Sequence, residues 1–290
     1  MTRVPSSREA WSDYWRGRPG GCLPEASSPL DQAFRDEWHR VAAALPERAR
    51  LLDLATGNGA VLRWLIEARS DLDLMGVDLA DPLPPAPRGS ATLGGVAMES
   101  LPFEPSTFDA IVSQFGLEYG ELGLSVAEAA RVLREGGTLA LVTHHAAGPI
   151  VAHNRRRAAG LEWALDEAHL IERAASAVSG DDRRVLSAAP GAASQMFGEG
   201  SAAWEFAEAI ARALRMPQFA LPATLATLEK KARGEMQRIA TLESAAAAIG
   251  APGRLRLVIE RHGFAMVEHH PVVHSPDGMT VADFWMFTRS

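Results

Sequence analysis

Short apolar runs alternate with stretches of helical periodicity between residues 50 and 145 of this 290-residue chain. The apolar runs lie at 51–55, 73–78, 91–97, 109–114 and 137–143, and the helical stretches at 60–69 and 121–134. This alternation is typical of βαβ units, in which helices connect parallel strands and cover the sheet. One connection differs, because residues 81–89 contain four prolines, which predict a loop in place of a helix.

The pattern changes on both sides of this core. Residues 30–48 predict a helix, since Phe34, Trp38 and Val41 recur at helical spacing. Residues 150–235 contain only helical stretches rich in Ala, Arg and Glu, which predict a helical insertion. Its apolar residues, Trp163 among them, would pack on one another or form a cap over an acceptor pocket.

The C-terminal part of the chain predicts a helix at 252–262 and then two strands. The apolar runs 264–273 and 281–288 are separated by Pro276-Asp277-Gly278, which predicts an antiparallel hairpin. We therefore expect an α/β fold with a doubly wound, mostly parallel sheet of seven strands, the last two forming the hairpin. The predicted segments are an N-terminal helical segment (1–48), a core (49–149), the helical insertion (150–235) and the C-terminal part of the core (236–290).

Composition narrows the class of protein. Hydrophobic residues make up 47% of the chain, which is enough for a large core, and no apolar stretch approaches the roughly 20 residues of a membrane-spanning helix. The net charge of −7 opposes binding to nucleic acid, despite the basic run at 155–157. The single cysteine, Cys22, excludes a disulfide within the chain and fits a reducing compartment. We expect a cytoplasmic protein without a membrane partner and with nucleic acid unlikely as a partner.

The strand at 51–55 runs into Thr56-Gly57-Asn58-Gly59 and then into a helix. Glycines let the main chain approach a ligand closely, and the first turn of a helix points free amides at it. Asp78 ends the next strand, about 20 residues later, where a carboxylate can accept both hydroxyl hydrogens of an adenosine ribose. Together these features predict a nucleotide-like cofactor, and they require the turn at Gly57 to be open to it.

Four segments carry a resemblance to a known family. They are LLDLATGNG (51–59), MGVDLAD (75–81), VAMESLPFEPSTFDAIVSQFGLEYG (96–120) and RVLREGGTLALVTHH (131–145). In order and spacing they resemble the motifs of class I S-adenosylmethionine-dependent methyltransferases, and they are most similar to bacterial small-molecule enzymes such as the quinone-biosynthesis group. The resemblance covers about residues 48–145 and the closing hairpin. It implies a Rossmann-like fold and S-adenosylmethionine as the cofactor.

The resemblance also assigns residues to the cofactor. Asp53 would lie near the amino group of the methionine part, and Asp78 would hold the ribose. Ala97 stands where the family usually has an acid that contacts adenine, so adenine recognition would fall to Met98 by packing and Glu99 by hydrogen bonding. The full set of expected cofactor residues is Asp53, Ala55, Thr56, Gly57, Asn58, Gly59, Asp78, Leu79, Met98, Glu99, Gln114 and Phe115.

The methyl acceptor is expected beyond the ends of the fourth and fifth strands, because ligands of open α/β sheets bind there. His144 and His145 follow the fifth strand, and either could serve as a general base for a hydroxyl or a protonated amine. Each could equally hydrogen-bond within its loop or face solvent. The expected acceptor-binding residues are Glu118 and Tyr119, together with Tyr14 and Trp15 as part of a lid; no metal site is predicted.

The function expected from these features is methyl transfer to O, N or C of a small metabolite by in-line displacement. A general base is optional, because the sulfonium methyl is already activated and alignment alone can suffice. One alternative is a protein that binds the cofactor without turnover. Another is a nicotinamide-dependent oxidoreductase, which the sequence disfavours because Leu62 stands where the dinucleotide motif needs a third glycine. The acceptor and the oligomeric state are not predicted.

Overall fold

The structure, a computed structural model, describes residues 7–17, 28–177, 180–250, 253–274 and 278–290. Cys22 and the first two residues of the predicted turn at 276–278 lie outside the described residues. The chain divides into two compact units. One comprises Met1–Val151 and Glu243–Ser290, and the other is Ala152–Leu242.

The first unit contains a seven-stranded sheet. Its strands are β1 Arg50–Leu54, β2 Asp73–Val77, β3 Ser90–Leu93, β4 Phe108–Gln114, β5 Leu133–His144, β6 Phe264–Val273 and β7 Thr280–Arg289. Their spatial order is β3-β2-β1-β4-β5-β7-β6, with β1 to β5 parallel and β7 antiparallel to both of its neighbours. This confirms the predicted doubly wound fold with its C-terminal hairpin. The strand order reverses between β1 and β4, so their carboxyl ends mark the expected ligand crevice.

Helices surround the sheet and also form the second unit. In chain order they are α1 Ser7–Gly17, α2 Ser28–Ala44, α3 Ala60–Ala68, α4 Leu122–Val132, α5 Pro149–Glu162, α6 Leu170–Ser176, α7 Gly180–Ser187, α8 Ala189–Phe197, α9 Ala202–Ala213, α10 Leu221–Gly250 and α11 Arg254–Arg261. Successive strand residues point to opposite faces, so Leu51 packs in a core with α2 and α3. Its neighbour Leu52 packs in a second core with α4 and α11. Both faces of the sheet are therefore covered.

The third strand is shorter than predicted because the chain turns at Gly94 and Gly95. A Cβ on Gly94 would lie 2.7 Å from the Ala80 carbonyl oxygen, and Gly95 has a positive φ of 75°. The Gly95 amide donates to Ala80 O at 3.1 Å, and the Val96 amide donates to Asp78 O at 2.9 Å. The predicted strand residues 94–97 therefore form a loop that lies against the end of β2. Residues 81–89 contain no regular helix, as their prolines predict.

The second unit contains helices without a strand among its described residues. It has its own apolar core, in which Leu165, Phe206 and Ile210 are buried. Arg157 of the basic run is paired within this unit, with Glu205 at 3.1 Å and Glu235 at 2.7 Å. The basic run is thus partly a structural feature of these helices.

In the part of the chain that the structure describes, no helix has the length and hydropathy needed to cross a membrane.

Candidate active site

The turn after β1 is the centre of the site. Gly57 and Gly59 have φ values of 53° and 72°, in the left-handed region that favours glycine. Helix α3 begins directly after Gly59. The turn is held against β2, because the Thr56 amide donates to Val77 O at 2.9 Å. The sequence therefore folds into the sharp strand-to-helix bend that its glycines predict.

Asp78 is joined to this turn by its carboxylate. The Gly57 amide donates to Asp78 Oδ2 at 2.9 Å, and the Ala80 amide donates to Asp78 Oδ1 at 2.8 Å. Burial raises the pKa of Asp78, although these main-chain bonds oppose the shift. A carboxylate offers about four acceptor positions, so both oxygens can accept further hydrogen bonds. The structure thus brings Gly57 and Asp78 together at one edge of the sheet.

Asp53 is a second buried carboxyl group at the same edge, with only 1% of its surface exposed. The Thr56 hydroxyl donates to Asp53 Oδ2 at 2.7 Å. Gly76 makes room for Thr56, since a Cβ on Gly76 would lie 2.5 Å from Thr56 Oγ1. Burial, with a smaller contribution from Asp78, raises the pKa of Asp53 to about 7. A cation beside Asp53 would therefore favour the ionised carboxylate, which forms readily near neutral pH.

The residues expected at the adenine ring lie in the loop after β3, beside the loop after β4. Glu99 Oε1 accepts from the Glu121 amide at 2.8 Å. A Cβ on Gly120 would lie 2.9 Å from Met98 Sδ and 2.7 Å from Glu99 Oε1. The Glu99 carboxylate thus holds the start of α4, and its contact with adenine stays a prediction.

Gln114 and Phe115, at the end of β4, are engaged with helix α2. The Trp38 indole donates to Gln114 Oε1 at 2.6 Å. Phe115 has a φ of 53° and its ring meets Phe34 edge-on, with centroids 5.4 Å apart. The structure places both residues at the expected edge, where Gln114 is bound to α2 and Phe115 packs on both Phe34 and the His144 ring.

The two candidate bases differ in their surroundings. His144 is buried, and its Nδ1 lies 2.8 Å from Glu118 Oε1. His145 is half-exposed, and its Nδ1 lies 2.9 Å from Asp283 Oδ2 on β7. Consecutive residues at the end of a strand point to opposite faces. The structure therefore separates the two histidines and pairs each with a different carboxylate.

The loops after β1 and β4 touch through Gly116, a residue that the sequence did not single out. A Cβ on Gly116 would lie 2.6 Å from Ala55 Cβ, so a larger residue would force the loops apart. The short 3-10 segment Leu117–Tyr119 follows and carries Glu118. Gly116 thus brings the His144 and Glu118 pair close to the turn that holds Gly57. A glycine two residues after the end of β4 was the signal available in the sequence.

Helix α1 lies across the same edge. The Arg8 guanidinium donates to Gly95 O at 3.0 Å, and the Asp81 amide donates to Ser12 Oγ at 3.1 Å. Trp11 meets Tyr119 edge-on, with centroids 5.4 Å apart. These contacts span the loops that follow β2, β3 and β4. Nothing in the sequence predicted Arg8 or Ser12, because single polar residues on a short helix carry no pattern.

Trp15 of α1 covers the glycine turn. A Cβ on Gly57 would overlap the Trp15 indole, and the Trp15 side chain is itself buried. Tyr14 packs edge-on against Trp15, with centroids 5.1 Å apart. The prediction that the turn at Gly57 is open is therefore wrong, because Trp15 covers it. Trp15 lies at the turn assigned to the cofactor, and its expected contact with the acceptor stays a prediction.

Comparison with known proteins matches the central part of the chain. A family model described as a methyltransferase domain matches residues 52–141. Demethylmenaquinone methyltransferase of Thermus thermophilus is 33% identical over 116 residues, which are 36% of this chain and 53% of that protein. An uncharacterized methyltransferase of Mycobacterium bovis is 34% identical over 133 residues, which are 44% of this chain and 48% of that protein. The chain thus spans about half the length of these relatives.

Among solved structures, an S-adenosylmethionine dependent methyltransferase from Mesorhizobium loti is similar to this chain, with a TM-score of 0.43 and 14% identity. The match covers 87% of this chain and 97% of that one.

Proposed function

We propose that this chain, which carries a class I S-adenosylmethionine-dependent methyltransferase domain, transfers a methyl group from that cofactor to a small metabolite. The observation that carries the proposal is the hydrogen bond from the Gly57 amide to the Asp78 carboxylate. One carboxylate holds the main chain of the glycine turn and keeps acceptor positions for a ribose. The name of the Thermus thermophilus relative indicates a small-molecule acceptor, which supports a metabolite over a macromolecule.

The residues at this edge suit S-adenosylmethionine chemically. Asp78 would accept from the ribose hydroxyls, and Asp53 would pair with the ammonium of the methionine part. The cofactor supplies a methyl group that its sulfonium already activates. The protein would bind it, exclude water and align an acceptor at about 3–3.5 Å from the methyl carbon. Phe115 and Tyr119 give the acceptor side aromatic walls around His144.

The direct test is calorimetric titration of the full chain with S-adenosylmethionine and with S-adenosylhomocysteine. We expect one site for both, and no heat with NADH as the matched dinucleotide control. Absence of binding to both sulfur compounds would remove the proposal, and binding of NADH alone would favour the oxidoreductase alternative.

Trp15 yields a separate prediction. Because the Trp15 indole lies on Gly57, the indole would have to move away when the cofactor binds. A variant without the indole should therefore bind the cofactor without this competition. If the competent arrangement is populated at roughly 10%, Trp15→Ala is expected to tighten S-adenosylhomocysteine binding about tenfold. Trp15→Phe, which keeps a smaller ring, should give an intermediate affinity in the same calorimetric titration. Weaker binding by Trp15→Ala would mean that Trp15 instead closes over the bound cofactor.

A further inference from the structure

We infer that Glu118 is the positioning residue for His144 and that Nε2 of His144 is the proton acceptor of the reaction. The inference deepens the proposed function and rests on it. Glu118 Oε1 accepts from the His144 main-chain amide at 3.1 Å and faces His144 Nδ1 at 2.8 Å. One carboxylate oxygen therefore holds both the backbone and the ring of the same residue.

The ring of His144 is also confined by aromatic neighbours. Phe115 packs against it with centroids 4.4 Å apart, and Tyr119 meets it edge-on at 5.9 Å. Both His144 and Glu118 are more than nine-tenths buried. A carboxylate cannot donate a hydrogen bond, so the contact with Glu118 requires a proton on Nδ1. The lone pair of the neutral ring is then on Nε2, which has no hydrogen bond among the described residues.

The Glu118 carboxylate has one oxygen atom, Oε2, that is buried without a hydrogen-bond partner in the part of the chain that the structure describes. A buried, unpaired carboxylate oxygen destabilises a protein. Unsatisfied groups of this kind are uncommon and call for an explanation. Holding His144 in one orientation and tautomer is such an explanation.

The arrangement defines the class of acceptor. A hydroxyl oxygen would form the new bond to the methyl carbon while the carbon–sulfur bond breaks and its electron pair stays on sulfur. The products are the methyl ether and S-adenosylhomocysteine, and the hydroxyl proton moves to His144 Nε2. The Glu118 carboxylate would stabilise the resulting imidazolium. The acceptor is therefore one whose nucleophilic atom carries a proton, such as an alcohol, a phenol or a protonated amine.

Isotope-edited NMR of the histidine ring nitrogens tests the inference on the full chain without any acceptor. At pH 8 we expect His144, assigned with His144→Gln, to carry its proton on Nδ1. In Glu118→Ala the ratio of the two tautomers should invert in favour of the Nε2 proton. Glu118→Gln, whose amide oxygen can still accept, should retain the Nδ1 proton. Asp283→Asn is the matched control, since it should change His145 and leave His144 unaltered.

The outcomes separate this inference from the proposed function. A wild-type His144 with its proton on Nε2, or an unchanged tautomer ratio in Glu118→Ala, would overturn the positioning role. Titration of the same variants with S-adenosylhomocysteine should show unchanged affinity, because Glu118 is assigned to the acceptor side. Lack of cofactor binding by every variant, with the tautomers as expected, would refute the proposed function and leave the positioning of His144 standing.

Discussion

Replacing Asp78 with asparagine is expected to weaken the binding of S-adenosylhomocysteine about 100-fold, the effect of losing nearly 3 kcal/mol. An asparagine has one acceptor oxygen, whereas Gly57 and Ala80 each require one from this side chain. The ribose would lose its charged acceptor, and hydrogen bonds to charged groups contribute about 1.5–3 kcal/mol. One buried amide would also lose its partner, which lowers the stability of the free protein and of the complex alike by about 1–3 kcal/mol. Calorimetry would measure the change.

Two comparisons make this result specific. 5′-Methylthioadenosine contains the ribose and lacks the amino-acid end, so Asp78→Asn should weaken its binding to a similar extent. Asp71→Asn changes a carboxylate that is bound to Arg69 outside the site and should leave both affinities unchanged. An Asp78→Asn protein that folds and binds 5′-methylthioadenosine as the wild type does would show that Asp78 does not hold the ribose.

Cofactor affinity is expected to fall as the pH decreases below 7. The pKa of Asp53 is about 7, and an ammonium ion binds the ionised carboxylate, so the complex holds fewer protons at Asp53 than the free protein. Affinity should therefore level off about one unit above pH 7 and fall toward tenfold for each further unit below it. Titrations between about pH 5.5 and 8.5 would show this for S-adenosylhomocysteine. 5′-Methylthioadenosine, which has no ammonium, should bind with little change over the same range.

Asp53→Asn should lose the pH dependence and most of the affinity for S-adenosylhomocysteine, and yet stabilise the protein. The folded state raises the pKa of Asp53, so this group makes folding less favourable as the pH rises from about 4 to 7. Above pH 7 the penalty has an upper limit of roughly 4 kcal/mol, at about 1.4 kcal/mol per pH unit. Thermal unfolding at pH 8 should therefore occur several degrees higher in Asp53→Asn. An Asp53→Asn protein that unfolds at a lower temperature than the wild type would show that the buried Asp53 charge does not destabilise the fold.

The sheet could be predicted from the sequence because each strand is a local pattern. The five parallel strands and the hairpin are confirmed, and the resemblance to methyltransferases agrees with the methyltransferase domain model that matches residues 52–141. The end of the third strand was misplaced, because Gly94 leaves the sheet to pass close to Ala80, which belongs to another strand connection. A contact between distant segments sets that boundary, and no local pattern records it.

The same limit applies to the site. The glycines and carboxylates follow strands directly, so their common edge could be inferred from strand order alone. The separation of His144 from His145 depends on Glu118 and Asp283, which come from a different loop and a different strand. The position of Trp15 on Gly57 depends on how α1 docks, and α1 is a short helix far from the turn along the chain.

A crystal structure of the full chain with S-adenosylhomocysteine bound tests the central claim most directly. The account predicts both ribose hydroxyls within hydrogen-bond distance of the Asp78 carboxylate, the ammonium beside Asp53 and the Trp15 indole displaced from Gly57. A ligand bound elsewhere, with Trp15 still covering the glycine turn, would contradict it.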